Sequence, residues 1–301
     1  MMVDWKNITR RISDALKKEF VAVQIESISG GDSNQAWLLS GSIHTDGTSV
    51  AVIYFVKVND ANKSAMFAAE KAGLEAIAES FTVQVPRCIT HGMVGQHSFL
   101  VLEYLDLVSQ GKSKLLGSQL AAMHYVHANQ FGWHLNNTIG ITPQHNNWTT
   151  DWISFWGEQR LGIQLDLAAR NGYRGKLQEL GYKVIAALPE LLAGHNPAPS
   201  LLHGDLWGGN HGYLANGTPV IFDPAPYFGD READIAMTEL FGGFDADFYA
   251  GYQEVHPLAA GYAKRKDLYN LYHILNHCNM VYGSYVQQAE RMMKGLLEQL
   301  H

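Results

Sequence analysis

The stretch LLHGDLWGGN at residues 201–210 carries Asp205 and Asn210 five positions apart on a glycine-rich loop. A second carboxylate, Asp223, follows Asp205 by 18 residues, at the end of a short apolar strand reading VIFDP. A carboxylate and an amide oxygen brought together in this way suit Mg2+, a hard cation that commonly bridges protein and nucleotide phosphates. If Asn210 and Asp223 hold the metal, Asp205 is left to accept a proton from a substrate hydroxyl. Metal, base and positioning are the parts that phosphoryl transfer needs.

The N-terminal third offers the complementary charges. Lys57 sits inside the apolar run VAVIYFVKV, where a lone ammonium is costly without an anionic partner. Glu70, thirteen residues on, falls on the helix that should pack beside that strand, so it is the natural partner. A solvated helix face is the plainer reading of Glu70, and Glu75 is its competitor. Gly30, Gly31, Asp32, Ser33 and Asn34 lie between two strands, where a glycine turn brings backbone N–H groups close to phosphate. Glu103, Tyr104 and Leu105 end another apolar strand, and backbone there is placed to hydrogen-bond an adenine.

These residues need elements to position them. Residues 1–20 form a charged amphipathic helix pattern with no apolar signal-peptide core. Strands are expected over 20–29, 35–40, 49–58 and 97–105, and a helix over about 63–80 with Asn62 as its cap. That order describes a small antiparallel sheet with one helix against it. The polar stretch LVSQGKS at 107–113 is the best boundary, dividing a unit of residues 1–106 from a helix-rich unit of residues 107–301. Helices are expected over about 114–129, 148–171, 174–192, 233–240, 244–256 and 264–300, with short strands at 201–202 and 219–222.

Composition excludes several classes. The chain has 301 residues, 47% hydrophobic and 17% charged, ample for a buried core. A net charge of −7 indicates no general affinity for nucleic acid or anionic membrane. The longest apolar run, residues 50–56, is too short to span a bilayer. Cys88 and Cys278 form no CxxC or disulfide framework, and a reducing cytoplasm is the plain reading. Oligomeric state leaves no mark on the sequence.

The sequence resembles the protein-kinase-like fold, closer to its aminoglycoside-phosphotransferase branch and closer still to the fructosamine kinase (ketosamine-3-kinase) family. The resemblance rests on HGDLWGGN at 203–210, FDPAPYFGDREADIAM at 222–237, NNTIGITPQHNNWTTDWISFWGEQRL at 136–161 and LYHILNH at 271–277. It implies an α+β, two-lobed fold with a small antiparallel-sheet lobe over the nucleotide and a larger helical lobe. It further implies an ATP- and Mg2+-dependent phosphotransferase acting on the 3-hydroxyl of a ketosamine, free or protein-bound, in a repair step that frees the amine. In that setting Asp205 is the base, Asn210 and Asp223 are the Mg2+ ligands, and Lys57 with Glu70 binds phosphate.

Two departures from the family pattern stand out: Gly208 where such loops usually carry Ser, and GGDSN where redox-sensitive relatives carry Cys, so no thiol switch is expected there. The alternatives are a kinase of the same superfamily with another acceptor (an aminoglycoside, choline, thiamine or homoserine) and a non-catalytic nucleotide-binding protein on a kinase scaffold. Trp207 is either core packing or a stacking wall for the substrate's sugar. His203 is expected to support its loop, and Asp230 and Asp234 to cap the following helix and hold the catalytic loop. Trp148, Trp152, Phe155 and Trp156 read as core aromatics. Gly111, Lys112 and Ser113 resemble the end of a Walker A loop without its first glycine. The pairs His124/His127 and His273/His277 have metal-ligand spacing without a third ligand.

Overall fold

Side-chain alternation along the N-terminal strands sets how the first third folds. The computed structural model describes residues 3–28, 34–45, 47–281 and 283–300. Strands β1 (Glu19–Ile28), β2 (Gln35–Thr45), β3 (Thr48–Asp60), β4 (Cys88–Val94) and β5 (His97–Glu103) form one antiparallel sheet in the order β1-β2-β3-β5-β4. Val56, Val58, Phe99 and Val101 pack with Ile8 and Ile12 of helix α1 (Trp5–Leu16). Leu100 and Leu102 point the other way and pack with Phe67, Leu74 and Ile77 of α2 (Ser64–Glu79). With both faces covered, β5 reads as a continuous apolar run and not as an alternation. Lys57 lies between Val56 and Val58, so the two-residue period turns it to the α2 face.

The sequence expectation of one helix against the sheet is therefore incomplete, because α1 covers the second face. Strand β4 is a further addition to the expected strands. Its sequence, CITHGMV, is a half-buried edge with a glycine and no clear alternation.

The remaining chain is mostly helical: α3 (Ser113–Met123), α4 (Trp152–Trp156), α5 (Ile163–Arg170), α6 (Lys176–Leu191), α7 (Glu232–Leu240), α8 (Ala246–Val255), α9 (Tyr262–Val281) and α10 (Ser284–Glu298). The helix expected over 148–171 starts only at Trp152, where the Asp151 side chain accepts from the Ser154 N–H at 2.8 Å. It then passes through a π-helical turn at Gly157–Gly162 before α5. The long run expected over 264–300 divides at Gly283, whose φ of +85° no regular helix adopts. Three short antiparallel pairs complete the fold: β6 (Asn137–Ile139) with β7 (Thr142–Gln144), β8 (Ser200–Leu202) with β11 (Tyr227–Gly229), and β9 (His211–Tyr213) with β10 (Pro219–Ile221).

The connection at 107–113 is pinned along its length. Val108 exchanges both backbone hydrogen bonds with Tyr213, at 2.8 and 2.9 Å, and Lys112 N–H donates to the Gly217 carbonyl at 3.0 Å. One continuous core runs from Phe67 and Leu100 on the α2 side of the sheet through Phe155 and Leu202 to Met293 in α10. Among the described residues, no helix is long and apolar enough to cross a membrane.

Candidate active site

Strand β8 delivers the loop from the core: Leu201 and Leu202 are buried, and His203 follows them fully enclosed. The His203 Nε2 donates to the Phe222 carbonyl at 2.9 Å, while Nδ1 accepts from the Asp205 N–H at 3.3 Å. Burial holds its pKa below the usual imidazole value, which keeps the ring neutral in this bridging role. Asp234 of α7 receives the His203 N–H at 2.7 Å and the Gly204 N–H at 2.8 Å. Its further partner is His124 Nε2 at 3.1 Å, and His124 Nδ1 meets the Tyr252 hydroxyl at 2.7 Å. Burial acts to raise the Asp234 pKa, but the His124 and backbone donors outweigh it and hold the carboxyl below its usual range. Asp234 thus anchors the loop that follows β8, and His124 serves that carboxylate.

Gly204 is required at its position. Its φ is +80°, and a Cβ there would lie 2.0 Å from the Ala225 carbonyl oxygen. This close approach joins the loop to the segment that carries Asp223. Ala225 N–H donates to the His203 carbonyl at 2.9 Å, and Phe222 N–H donates to the Asn210 carbonyl at 3.0 Å. Asp223 itself has φ +56°, a left-handed conformation that aspartate tolerates better than most side chains.

The carboxylates and the lysine converge from three segments. Lys57 Nζ lies 2.7 Å from Glu70 Oε1 and 2.5 Å from Asp223 Oδ1. Burial works against the ammonium charge, yet the two carboxylates together raise the Lys57 pKa above its usual value. Burial also raises the Glu70 carboxyl, with Lys57 opposing. Glu75 pairs instead with Lys71 at 2.7 Å on the outer surface of α2. On the loop after β8, Asn210 Nδ2 donates to the Asp205 carbonyl at 2.8 Å and to Asp205 Oδ2 at 3.3 Å. The Asp205 carboxyl is pushed up to about 7, first by burial and then by Asp223, against the hydrogen bond from Asn210. A half-ionised carboxylate near neutral pH is well matched to general-base work.

Fit to a hard cation can be judged from these contacts. The Asn210 amide nitrogen faces Asp205, so Oδ1 is the atom it could offer to a cation. The Asp223 side chain is 43% exposed, with Oδ1 toward Lys57. An amide oxygen from Asn210 and a carboxylate oxygen from Asp223 are a donor set that suits Mg2+.

The other residues singled out in the sequence have the following places. Gly30, Gly31 and Ser33 lie outside the described residues. Asn34 Oδ1 accepts from Asn59 Nδ2 at 2.8 Å. Glu103 N–H donates to the Arg87 carbonyl at 2.9 Å and Tyr104 N–H to the Ile53 carbonyl at 3.4 Å, which takes both N–H groups away from a base edge. Trp207 is 41% exposed, which removes the core-packing reading. Its ring lies across Gly209, where a Cβ would meet ring carbons at 2.3 Å. Gly208 touches the backbone of Gly243, whose own Cβ would sit 2.5 Å from the Gly208 Cα. Trp152, Phe155 and Trp156 are core residues as expected, whereas Trp148 is exposed and stacks beside Phe228 at 6.1 Å.

Metal-ligand spacing elsewhere leads to ordinary contacts. His277 Nδ1 donates back to the His273 carbonyl at 2.8 Å. His195, Asp230 and Glu232 gather in one place, but Arg265 binds both Glu232 oxygens at 2.7 and 2.8 Å, and the Tyr269 hydroxyl donates to Asp230. Asp230 therefore belongs to a buried ion-pair cluster behind the loop; its Oδ1 also receives the Glu232 N–H at 3.0 Å.

Comparison with known proteins gives the family and the fold. The sequence model of the family described as Fructosamine kinase matches residues 4–299. A probable ketoamine kinase of Synechocystis sp. is 47% identical over 296 residues, covering 97% of each chain. A chloroplastic protein-ribulosamine 3-kinase of Arabidopsis thaliana is 41% identical over 281 residues, covering 92% of this chain and 83% of its own. The crystal structure of a candidate fructosamine-3-kinase from Haemophilus somnus superposes with a TM-score of 0.87 at 30% identity, covering 97% of both chains. An ADP-bound aminoglycoside phosphotransferase shares the fold alone, with a TM-score of 0.62 at 13% identity.

Proposed function

The chain belongs to the fructosamine kinase family, and from that premise we propose that it transfers the γ-phosphoryl group of ATP to the sugar 3-hydroxyl of a ketosamine. The observation that carries this reading is the convergence of Lys57, Glu70 and Asp223 within 2.7 Å contacts beside the Asp205–Asn210 pair.

Asp205 accepts the proton of the acceptor hydroxyl and directs its oxygen at the γ-phosphorus. Lys57, steadied by Glu70, holds the nucleotide phosphates. Asn210 Oδ1 and Asp223 Oδ2 would hold Mg2+, which when bound neutralises developing phosphate charge. The nucleotide phosphates are assigned to Gly30, Gly31, Ser33 and Asn34, and the adenine to the backbone of Glu103, Tyr104 and Leu105. The exposed ring of Trp207 supplies an apolar platform for the sugar of the adduct. The chemistry left to the protein is mainly positioning and electrostatics. Cys88 and Cys278 are free thiols, the state that a reducing cytoplasm maintains, and we place the enzyme there. The repair role follows from the product, because phosphorylated adducts decompose and release the amine.

The test is phosphorylation of ribulosyl-, erythrulosyl- and fructosyl-lysine, followed by mass spectrometry, with Asp205→Ala as control. A mass gain of one phosphoryl group on at least one adduct is expected, and none with the variant. Turnover of none of the three would overturn the substrate class. Undiminished turnover by Asp205→Ala would overturn the mechanism.

A further inference from the structure

The run at 136–161 carries much of the family resemblance, yet none of its side chains belongs to the site described above. Gln144 is 1% exposed. Its Nε2 donates to the Ala225 carbonyl at 2.9 Å and to Asn137 Oδ1 at 2.8 Å, and its Oε1 accepts from the Tyr272 hydroxyl at 2.7 Å. Asn137 Nδ2 donates to the Pro226 carbonyl at 2.9 Å. Asn137 Oδ1 also accepts from Asn146 Nδ2 at 2.9 Å, and Asn146 Oδ1 accepts from Arg160 Nη2 at 2.7 Å. Arg160 is fully buried in the π-helical turn, its guanidinium 4.0 Å from the Tyr227 ring centroid. Two bonds of this lattice, from Gln144 and from Asn137, thus end on carbonyls two and three residues beyond Asp223.

That segment needs outside donors. Pro224 and Pro226 have no N–H, so the chain from 224 to 226 offers only the Ala225 N–H to a ladder. The Ala225 carbonyl is wedged between the Gln144 amide and Gly204, one residue before Asp205. On the opposite side the two prolines rest on α2, where a Cβ at Gly73 would lie 2.7 Å from Pro226 and 3.3 Å from Pro224. Gly73 is one helical turn from Glu70.

We infer that Gln144, together with Asn137, is a positioning residue that fixes the segment 223–226 and so sets the placement of Asp223 against Asp205. This rests on the kinase reading above. Partners one step behind a metal ligand commonly alter metal affinity or activity by about 10–100-fold when removed.

The experiment measures Mg2+-dependent binding of a non-hydrolysable ATP analogue by calorimetry, alongside ketosamine kinetics, for the unmodified protein, Gln144→Met and Asn279→Leu. Asn279 is a buried amide of the same polar interior, bonded to Gln164 and Asn171 and not to residues 223–226. Gln144→Met is expected to raise the Mg2+ needed for half-maximal analogue binding by about tenfold or more. Its kcat should fall, with the ketosamine KM at saturating Mg2+ little changed. Asn279→Leu should lose thermal stability with the Mg2+ requirement unchanged. Equal Mg2+ requirements in the two variants would overturn the inference. If Gln144→Met does not fold, Tyr272→Phe removes only the hydroxyl that orients the Gln144 amide; it should shift the Mg2+ requirement in the same direction, and no shift would overturn the inference. Analogue binding needs no acceptor, so a wrong ketosamine assignment leaves this readout intact. An unmodified protein that bound no Mg2+-nucleotide would overturn both readings.

Discussion

Replacing Gly204 by Ala tests whether the contact between the loop that carries Asp205 and the segment that carries Asp223 sets activity. The added Cβ would lie 2.0 Å from the Ala225 oxygen, where ordinary contact begins at 3.4 Å, so the two backbones must part by more than an ångström. Ala225 cannot retreat freely, because Gln144 holds its carbonyl and His203 its N–H. Gly204 cannot retreat either without losing its bond to Asp234. The left-handed φ costs Ala about 1 kcal/mol, overpacking about 1–3 kcal/mol, and a broken buried hydrogen bond about 1–3 kcal/mol. A loss of roughly 3–7 kcal/mol is therefore expected in urea unfolding. A displacement of this size between Asp205 and Asp223 should lower kcat about 100-fold. Gly194→Ala is the control: φ is +74° there, and nothing lies within 4 Å of the added methyl. It should cost about 1 kcal/mol and leave kcat unchanged. Gly204→Ala with the kcat of the unmodified enzyme would refute the argument.

Three further outcomes follow from individual side chains. Lys57→Met leaves the buried Glu70 carboxylate facing Asp223 with no cation. It should lose about 3–5 kcal/mol, much of it recovered in Lys57→Met/Glu70→Leu, with nucleotide affinity lost in both. Burial holds the His273 pKa at about 3, whereas an exposed histidine titrates near 6.5. The unfolded chain therefore takes up a proton that the folded chain refuses. Stability from this group is full above about pH 6.5 and falls as pH drops toward 3, by up to about 1.4 kcal/mol per unit; His273→Gln should flatten the slope of unfolding free energy against pH by about one proton. For the exposed Trp207, Trp207→Ala should raise the ketosamine KM while Trp207→Phe leaves it near normal, and unchanged KM in both variants would remove the stacking role.

What the sequence disclosed was local. Asp205 and Asn210 share one loop, and strand period plus helix adjacency were enough to pair Lys57 with Glu70. In the structure that pair closes at 2.7 Å. Elements whose identity depends on distant partners were hidden. Strand β9 exists because Val108 and β10 flank it, and β4 because β5 does. Helix α1 was visible as a helix, but nothing in its own residues says that it closes the second face of the sheet. The span 148–171 carries helical periodicity throughout, and the π-helical turn that aims Arg160 inward breaks no pattern of residue type.

The same distinction explains why an amide-rich run resisted reading. Asn, Gln and Thr in NNTIGITPQHNN have the composition of a surface loop. Burial reverses their meaning, because an enclosed amide must find partners for both its donor and its acceptor. Gln144 finds one 81 residues away, at Ala225, and another 128 residues away, at Tyr272. Such partners cannot be inferred from spacing, and only the fold shows them. The two prolines beside Ala225 do leave a trace in the sequence. Pro224 and Pro226 leave a single N–H next to Asp223, and the carbonyls of Ala225 and Pro226 take their donors from Gln144 and Asn137 in the interior. Gly208 follows the same logic. In the loop alone its lack of a side chain has no reason, whereas in the structure it faces Gly243 backbone to backbone, so the two glycines are one packing decision made at two places in the chain.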